Sequence, residues 1–293
     1  MKKVNNKIKG TVGEKFFVGT IYVILLLFGI IALYPFWNVI MVSISSSEYV
    51  SRGEITLFAK GVNFEAYTAV LKSPSIFTGY KNTLIVTILT TLLGVLTTAM
   101  TAYPLSRESL PGKKAILIFV SITMWFNAGM IPRFLVMKNL NLLDSLVGLS
   151  LANMLTAYNI TVMRSFFMGL PKSLEESAQL DGCNDLQILF KIILPLSLSS
   201  VATIGLWIAV AAWNQFFEPM LFLSSASKYT LQIFLRDIVV NANVNANDME
   251  MGATTSDMVR YATIIVATVP VLIVYPFIQK YFVKGVMVGA VKG

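Results

Sequence analysis

The 293-residue sequence contains no histidine and a single cysteine, Cys183. Without imidazoles or paired thiols the usual transition-metal clusters cannot be built. The side chain that most often serves as a general base near neutral pH is missing as well. No G-x-x-x-x-G-K-[ST] phosphate loop occurs, so any nucleotide hydrolysis would have to come from another chain. Charge is also scarce: 13% of residues are charged, against about 25% in an average soluble protein. The few carboxylates near apolar runs are too scattered for an acid–base pair. Cys183, beside Gly182, reads as a small filler kept reduced. What remains is apolar, with 56% of residues hydrophobic.

That apolar material is not evenly spread. A membrane span needs about 20 mostly apolar residues with few charges. Six uncharged stretches qualify: 16–47, 82–106, 115–132, 145–163, 192–217 and 261–279. They predict an all-α membrane protein with six transmembrane helices, the third continuing past Pro132. A basic arm (Lys2, Lys3, Lys7, Lys9, Lys15) precedes the first run. A secretory signal has an apolar region of about 7–15 residues; this run continues through Tyr34, Pro35, Phe36 and Trp37, which predicts a retained anchor. The organisation expected is an N-terminal arm at 1–15, a six-helix region at 16–283 and a tail at 284–293. With the N-terminus inside, fourteen of the 23 Lys and Arg and six of the 15 acids fall on the inner side. The whole net charge of +8 then lies inside, as lysine and arginine asymmetry in membrane proteins requires. Basic residues that flank spans do not form a nucleic-acid-binding face.

Between the fourth and fifth runs lies a polar segment, 171–195, carrying Glu175, Glu176, Asp181 and Asp185. Burying these acids in hydrocarbon would be too costly, so the segment lies outside it as a candidate docking surface. It reads as two short helices. Ser173 and Glu176 have capping-box spacing, Gly182 stops the first helix, Asn184 or Asp185 caps the second, and Pro195 marks its end.

The pattern Glu176-x-Ala178-x-x-x-Gly182, nine residues, then Ile192-x-Leu194-Pro195 resembles the EAA loop of importer-type ABC transporter permeases. One position departs: Ser177 stands where that family usually has alanine. The resemblance runs nearly end to end. Trp207 and Trp213-Asn-Gln-Phe-Phe-Glu-Pro219 are similar to a segment of sugar-importer permeases. The tail Lys284-Gly-Val-Met-Val-Gly-Ala-Val-Lys-Gly293 resembles the end of the MalG-type subunit of maltose-class importers. Leu33-Tyr-Pro-Phe36, Ser43-Ile-Ser-Ser-Ser47, Gly53 and Asn63-Phe-Glu-Ala-Tyr67 look most like the LplC/YtcP subgroup, associated with complex oligosaccharides and polysaccharides.

The resemblance implies a non-enzymatic permease subunit in a bacterial cell membrane, with both termini cytoplasmic. It implies four partners: a second permease, two ATP-binding subunits and an extracytoplasmic solute-binding protein. The substrate would be an oligo- or polysaccharide, alginate-like or another complex glycan. ATP and Mg²⁺ would sit on the ATPases, with no cofactor or metal on this chain and no nucleic acid. Glu176, Ser177, Ala178, Asp181 and Gly182 would meet the ATPase, and Ile192, Leu194 and Pro195 would set the angle of entry into the fifth span. Gly285, Gly289, Lys292 and Gly293 would thread the ATPase interface. A permease for peptides or amino acids remains an alternative. An independent ion-driven carrier is the other, although the uncharged runs lack the ionisable groups that such coupling uses.

For the translocation path, Trp213, Asn214 and Gln215 offer an aromatic face beside amides, with Asn153 and Asn159 as further polar positions. Thr83, Thr87, Thr90, Gly94, Thr97 and Thr101 form one helical stripe, open to two readings: tight packing or pore lining. Glu218 is expected as a solvated carboxylate near an outer helix end. Outer loops 48–78 and 224–258 are long enough for structure of their own, and the second, with the asparagine-rich tract 241–247, is a candidate landing surface for the solute-binding protein.

Overall fold

A computed structural model describes residues 12–241, 258–270 and 272–273. The tail residues Gly285, Gly289, Lys292 and Gly293, the arm through residue 11 and most of the asparagine-rich outer tract lie outside these. All ordered elements among the described residues are helical. In chain order they are α1 Val12–Ser43, α2 Ser47–Ser51, α3 Glu65–Lys72, α4 Pro74–Ser106, α5 Lys113–Trp125, α6 Met130–Asn139, α7 Leu146–Asn153 and α8 Ala157–Phe167. They continue with α9 Lys172–Leu180, α10 Asp185–Ile188, α11 Leu194–Leu196, α12 Leu198–Trp213, α13 Phe217–Phe222, α14 Leu231–Asn241 and α15 Met258–Pro270.

Two compact units divide the chain, one of residues 1–70 with 242–265 and the other of 71–241 with 266–293. In the first, α1 is apolar around its circumference and its large side chains are exposed, as a lipid-facing helix requires. Its last turns hold the segment that follows. The Trp37 indole N–H donates to the Leu57 carbonyl at 2.7 Å, and the Ser43 and Tyr67 hydroxyls meet at 2.7 Å.

In the second unit α4 is the central post. Thr83, Thr90 and Gly94 are buried along it, so half of the small-residue stripe serves packing. A Cβ added at Gly94 would meet the Met154 carbonyl oxygen at 2.7 Å and Ile208 Cδ1 at 2.9 Å. Such close approach is what small residues permit between membrane helices. The side chains of Asn82 and Thr83 also hold the 227–231 segment, through bonds of 2.9 Å to the Ser227 and Tyr229 carbonyls and from the Leu231 N–H.

Among the described residues, α1 and α4 are the two single helices long and apolar enough to cross a membrane. Three further candidates are bent pairs: α5 and α6 at 116°, α7 and α8 at 57°, and Asp185–Leu196 with α12 at 88°. Helix α6 extends past Pro132, but a sharp turn separates it from α5 in place of the continuous span expected. Asn127 Oδ1 accepts the Gly129 N–H at 2.9 Å in an Asx turn, and Gly129 takes a positive φ of 82°. Pro132 then falls in the first turn of α6, where its missing N–H costs nothing.

The fifth run is broken at Ser197, preceded by one wide π turn at Leu189–Ile193. A proline ring clashes with the carbonyl four residues back. The wider turn before Pro195 gives that carbonyl room.

Outside the spans, Asp144 at φ 50° gathers the 224–228 segment. Its carboxylate accepts from the Ser224 and Ser225 N–H groups, the Ser225 hydroxyl and Lys228 Nζ, the last at 2.8 Å. The Lys228 and Ser225 bonds hold its pKa well below the usual carboxylate value.

Candidate coupling site

The 171–195 segment is two helices joined by a tight turn. Pro171, at φ −61°, precedes α9 and supplies no side-chain cap. The proline-led start puts Ser173 inside the helix, so the expected Ser173–Glu176 capping box does not form. The box forms instead on the second helix: Asn184 Oδ1 accepts the Gln187 N–H while Gln187 Oε1 accepts the Asn184 N–H, both at 2.9 Å. Gly182 ends α9 as its position predicts. The Cys183 N–H bonds the Ala178 carbonyl and the Gly182 N–H bonds the Gln179 carbonyl. That is the Schellman pattern, which needs the left-handed residue that Gly182 supplies at φ 81°.

The segment has two faces. Ala178, Ile188, Leu189 and Ile193 are buried in one cluster with Tyr103 and Leu105 of α4, Met163 and Phe167 of α8, and Ile204 of α12. The inner face is therefore continuous with the core between the long helices. Ala178 turns into this core, so its small size seats the segment on its own chain. Glu176, Ser177, Asp181 and Gly182 are exposed. Leu180, one turn beyond Glu176, is 89% exposed. Ile192 and Leu194 are half-buried and Pro195 is exposed. A cleft of about 320 Å³, rimmed by Ser106, Arg107, Glu175 and Glu176, separates α9 from the end of α4.

Polar contacts tie this segment to its neighbours. Arg107 caps α4, and its guanidinium lies 4.3 Å from the Tyr103 ring centre. Nη1 bonds Asp185 Oδ1 at 2.6 Å. Nε lies 3.0 Å from Glu175 Oε2 but off the N–H direction, which makes it a charge contact without an aligned hydrogen bond. Arg164 Nε donates to the Leu105 carbonyl at 2.8 Å and Lys113 Nζ to the Arg107 carbonyl at 2.7 Å. Cations here also complement the carbonyl end of a long helix. On the exposed rim, Lys172 pairs with Glu108 at 2.9 Å. Their hydrogen bond lowers the Glu108 pKa and raises that of Lys172. Sequence reading missed Arg107: it lies 68 residues before Glu175, and the only local signal was a cation after a long apolar run.

The candidate path residues are distributed differently. Trp213 is 7% exposed, its ring tilted 6.1 Å from that of Tyr80. Little of its face is open to a ligand in this conformation. Asn214 is exposed and bonds its own helix at the Val210 carbonyl. Gln215 Oε1 is buried and accepts no hydrogen bond. Asn159 is buried in α8. Asn153 belongs to a polar knot: Arg133 Nη2 bonds Asn153 Oδ1 and the Ala152 carbonyl, both at 2.6 Å, while Nη1 pairs with Glu218 at 2.9 Å. Glu218 is thus a half-buried ion-pair partner joining α13 to α6 and α7, which differs from the free solvated acid expected.

Comparison with known proteins places this architecture. Residues 94–288 match the family model of the binding-protein-dependent transport system inner membrane component. The polygalacturonan/rhamnogalacturonan transport system permease protein YtcP of Bacillus subtilis (strain 168) is 42% identical, over 93% of this chain and 97% of that one. Protein LplC of the same strain is 34% identical, over 90% and 91%. A crystal structure of a bacterial ABC transporter involved in the import of the acidic polysaccharide alginate has a chain that superposes with a TM-score of 0.88. It shares 36% identity and covers 93% of this chain and 99% of that one. The chain belongs to the family of binding-protein-dependent transport system inner membrane components, the non-catalytic permease subunits of ABC importers.

Proposed function

We propose that this chain is one of two permease subunits of an ATP-driven importer of oligo- or polysaccharides, acidic glycans foremost, and that the 171–195 segment receives the motion of the ATPases. The substrate class is supported by the pectic polysaccharides named for one relative and the alginate named for the superposed transporter. In this reading six spans cross the bacterial inner membrane, with both termini and the 171–195 segment cytoplasmic. A second permease completes the path, two ATPases hold ATP and Mg²⁺, and an external solute-binding protein delivers the sugar. The tail residues Gly285, Gly289, Lys292 and Gly293 would enter the ATPase interface.

The observation that carries the coupling role is the two-faced build of the segment. Its inner face shares one buried cluster with α4, α8 and α12. Close-packed interiors transmit displacement with little give. Its outer face presents Glu176, Ser177, Leu180, Asp181 and Gly182. A partner closing on ATP would push this outer face, and the shared cluster would carry the push into three helices at once, as a rigid-body switch requires. Trp213, Asn214, Gln215 and Asn153 would contribute the aromatic and polar groups of the translocation path.

Two variants in the reconstituted complex test this. Nothing lies within 4 Å of a Cβ added at Gly182, so arginine there clashes with nothing in the free chain; it strains the left-handed φ of 81° and occupies the docking space. Asparagine tolerates the left-handed backbone and stays small. ATPase stimulation by the binding protein with oligogalacturonate or alginate fragments should vanish in Gly182→Arg and persist in Gly182→Asn. Undiminished stimulation in Gly182→Arg would reject the segment as the coupling element.

A further inference from the structure

We infer that Arg107 is the positioning residue that makes α4 move with both helices of the 171–195 segment. This rests on the reading of that segment as the element the ATPases displace. One guanidinium holds carboxylates from two different helices, Glu175 on α9 and Asp185 on α10, at 3.0 and 2.6 Å. Those helices are joined by the Gly182 turn and both seat on the shared buried cluster, through Ala178 and Ile188, and the angle between them is what a displacement would change. Arg107 closes that angle from the α4 side. It is itself anchored: its ring contact with Tyr103 aims the side chain, its carbonyl is bonded by Lys113, and the Leu105 carbonyl before it is bonded by Arg164. A displacement of α9 or α10 therefore reaches α4 through a charged strap as well as through the apolar contacts under Ala178 and Ile188.

Lysine cannot reproduce the strap. Its ammonium is a single point charge, whereas a guanidinium offers a planar fork that reaches two acceptors at once. The two arms also differ. Glu175 is 22% exposed and Asp185 is 72% exposed. An exposed pair is screened by water and salt and holds weakly. The Glu175 arm is the less screened charge contact, and the Asp185 arm carries the aligned hydrogen bond.

The test uses the full transporter in vesicles, with the binding protein present, and reads sugar taken up per ATP hydrolysed, normalised to assembled complex. Arg107→Lys, Glu175→Gln and Asp185→Asn are compared with wild type and with Gly182→Arg. Arg107→Lys, Glu175→Gln and Asp185→Asn should keep the ATPases bound and stimulated while uptake per ATP falls, about threefold for Arg107→Lys and less for each acid alone. A substitution that merely loosened the fold would lower the amount of complex and leave this ratio unchanged. If Gly182→Arg abolishes stimulation but all three strap variants keep the wild-type ratio, apolar packing alone carries the motion and the role of Arg107 is overturned. If Gly182→Arg is itself indistinguishable from wild type, the coupling reading fails and the strap fails with it.

Discussion

Gly94 gives the sharpest quantitative expectation. A methyl group there would sit 2.7 Å from the Met154 carbonyl oxygen, 2.9 Å from Ile208 Cδ1 and 3.3 Å from Ile208 Cγ2, where ordinary contact begins at 3.4 Å. The isoleucine tip can rotate away. The carbonyl is backbone in the link between α7 and α8, and it must move by several tenths of an ångström. Overpacking of this kind costs about 1–3 kcal/mol, while replacing glycine by alanine in a helix returns about 1 kcal/mol. The expected net loss for Gly94→Ala is about 1 kcal/mol, roughly 2–4 °C in Tm for a chain of this size. Gly205 on α12 is the internal control. Its nearest neighbour to an added Cβ is Val95 Cγ2 at 3.4 Å, so Gly205→Ala should hold or raise Tm through helix propensity alone. Thermal unfolding of the solubilised complex, followed by tryptophan fluorescence, separates the two. If Gly94→Ala is as stable as Gly205→Ala, the α4 stripe does not set close approach and the packing argument fails.

Two further expectations concern local structure. Asn184→Ala removes both arms of the capping box and should cost about 1 kcal/mol at the start of α10, read as faster amide exchange across Asp185–Ile193; unchanged protection would show that tertiary packing alone holds that helix. For Asp144, the folded pKa lies below its ordinary 3.8, chiefly through Lys228 and then Ser225. A depressed carboxylate pKa stabilises the fold above the unfolded value and ceases to do so as pH falls through the folded one. Asp144→Asn should therefore lower Tm at neutral pH, and the gap to wild type should narrow once the pH drops below 3.8. A gap independent of pH would mean that hydrogen-bond geometry at Asp144 matters and its charge does not.

The sequence by itself determined the class of this protein and singled out the 171–195 segment between two apolar runs. Six uncharged runs and an inner-side excess of Lys and Arg are one-dimensional properties, because the bilayer acts on each helix separately. Gly182 was legible for the same reason, since a left-handed helix stop is a local demand on one residue. Tertiary structure decided the rest. The bends within the apolar runs depend on the Asx turn at Asn127 and the wide turn before Pro195, and an uncharged run carries no record of direction. Which side chain caps a helix and which becomes a partner was also undetermined locally: Asn184 took the cap, leaving Asp185 free for Arg107, while Pro171 displaced the start that Ser173 suggested. Trp213 and Glu218, read as open to ligand and to water, became a buried ring against Tyr80 and half of an ion pair with Arg133. Their partners lie more than 80 residues away in sequence, where no spacing rule reaches and only the packed fold brings the groups together.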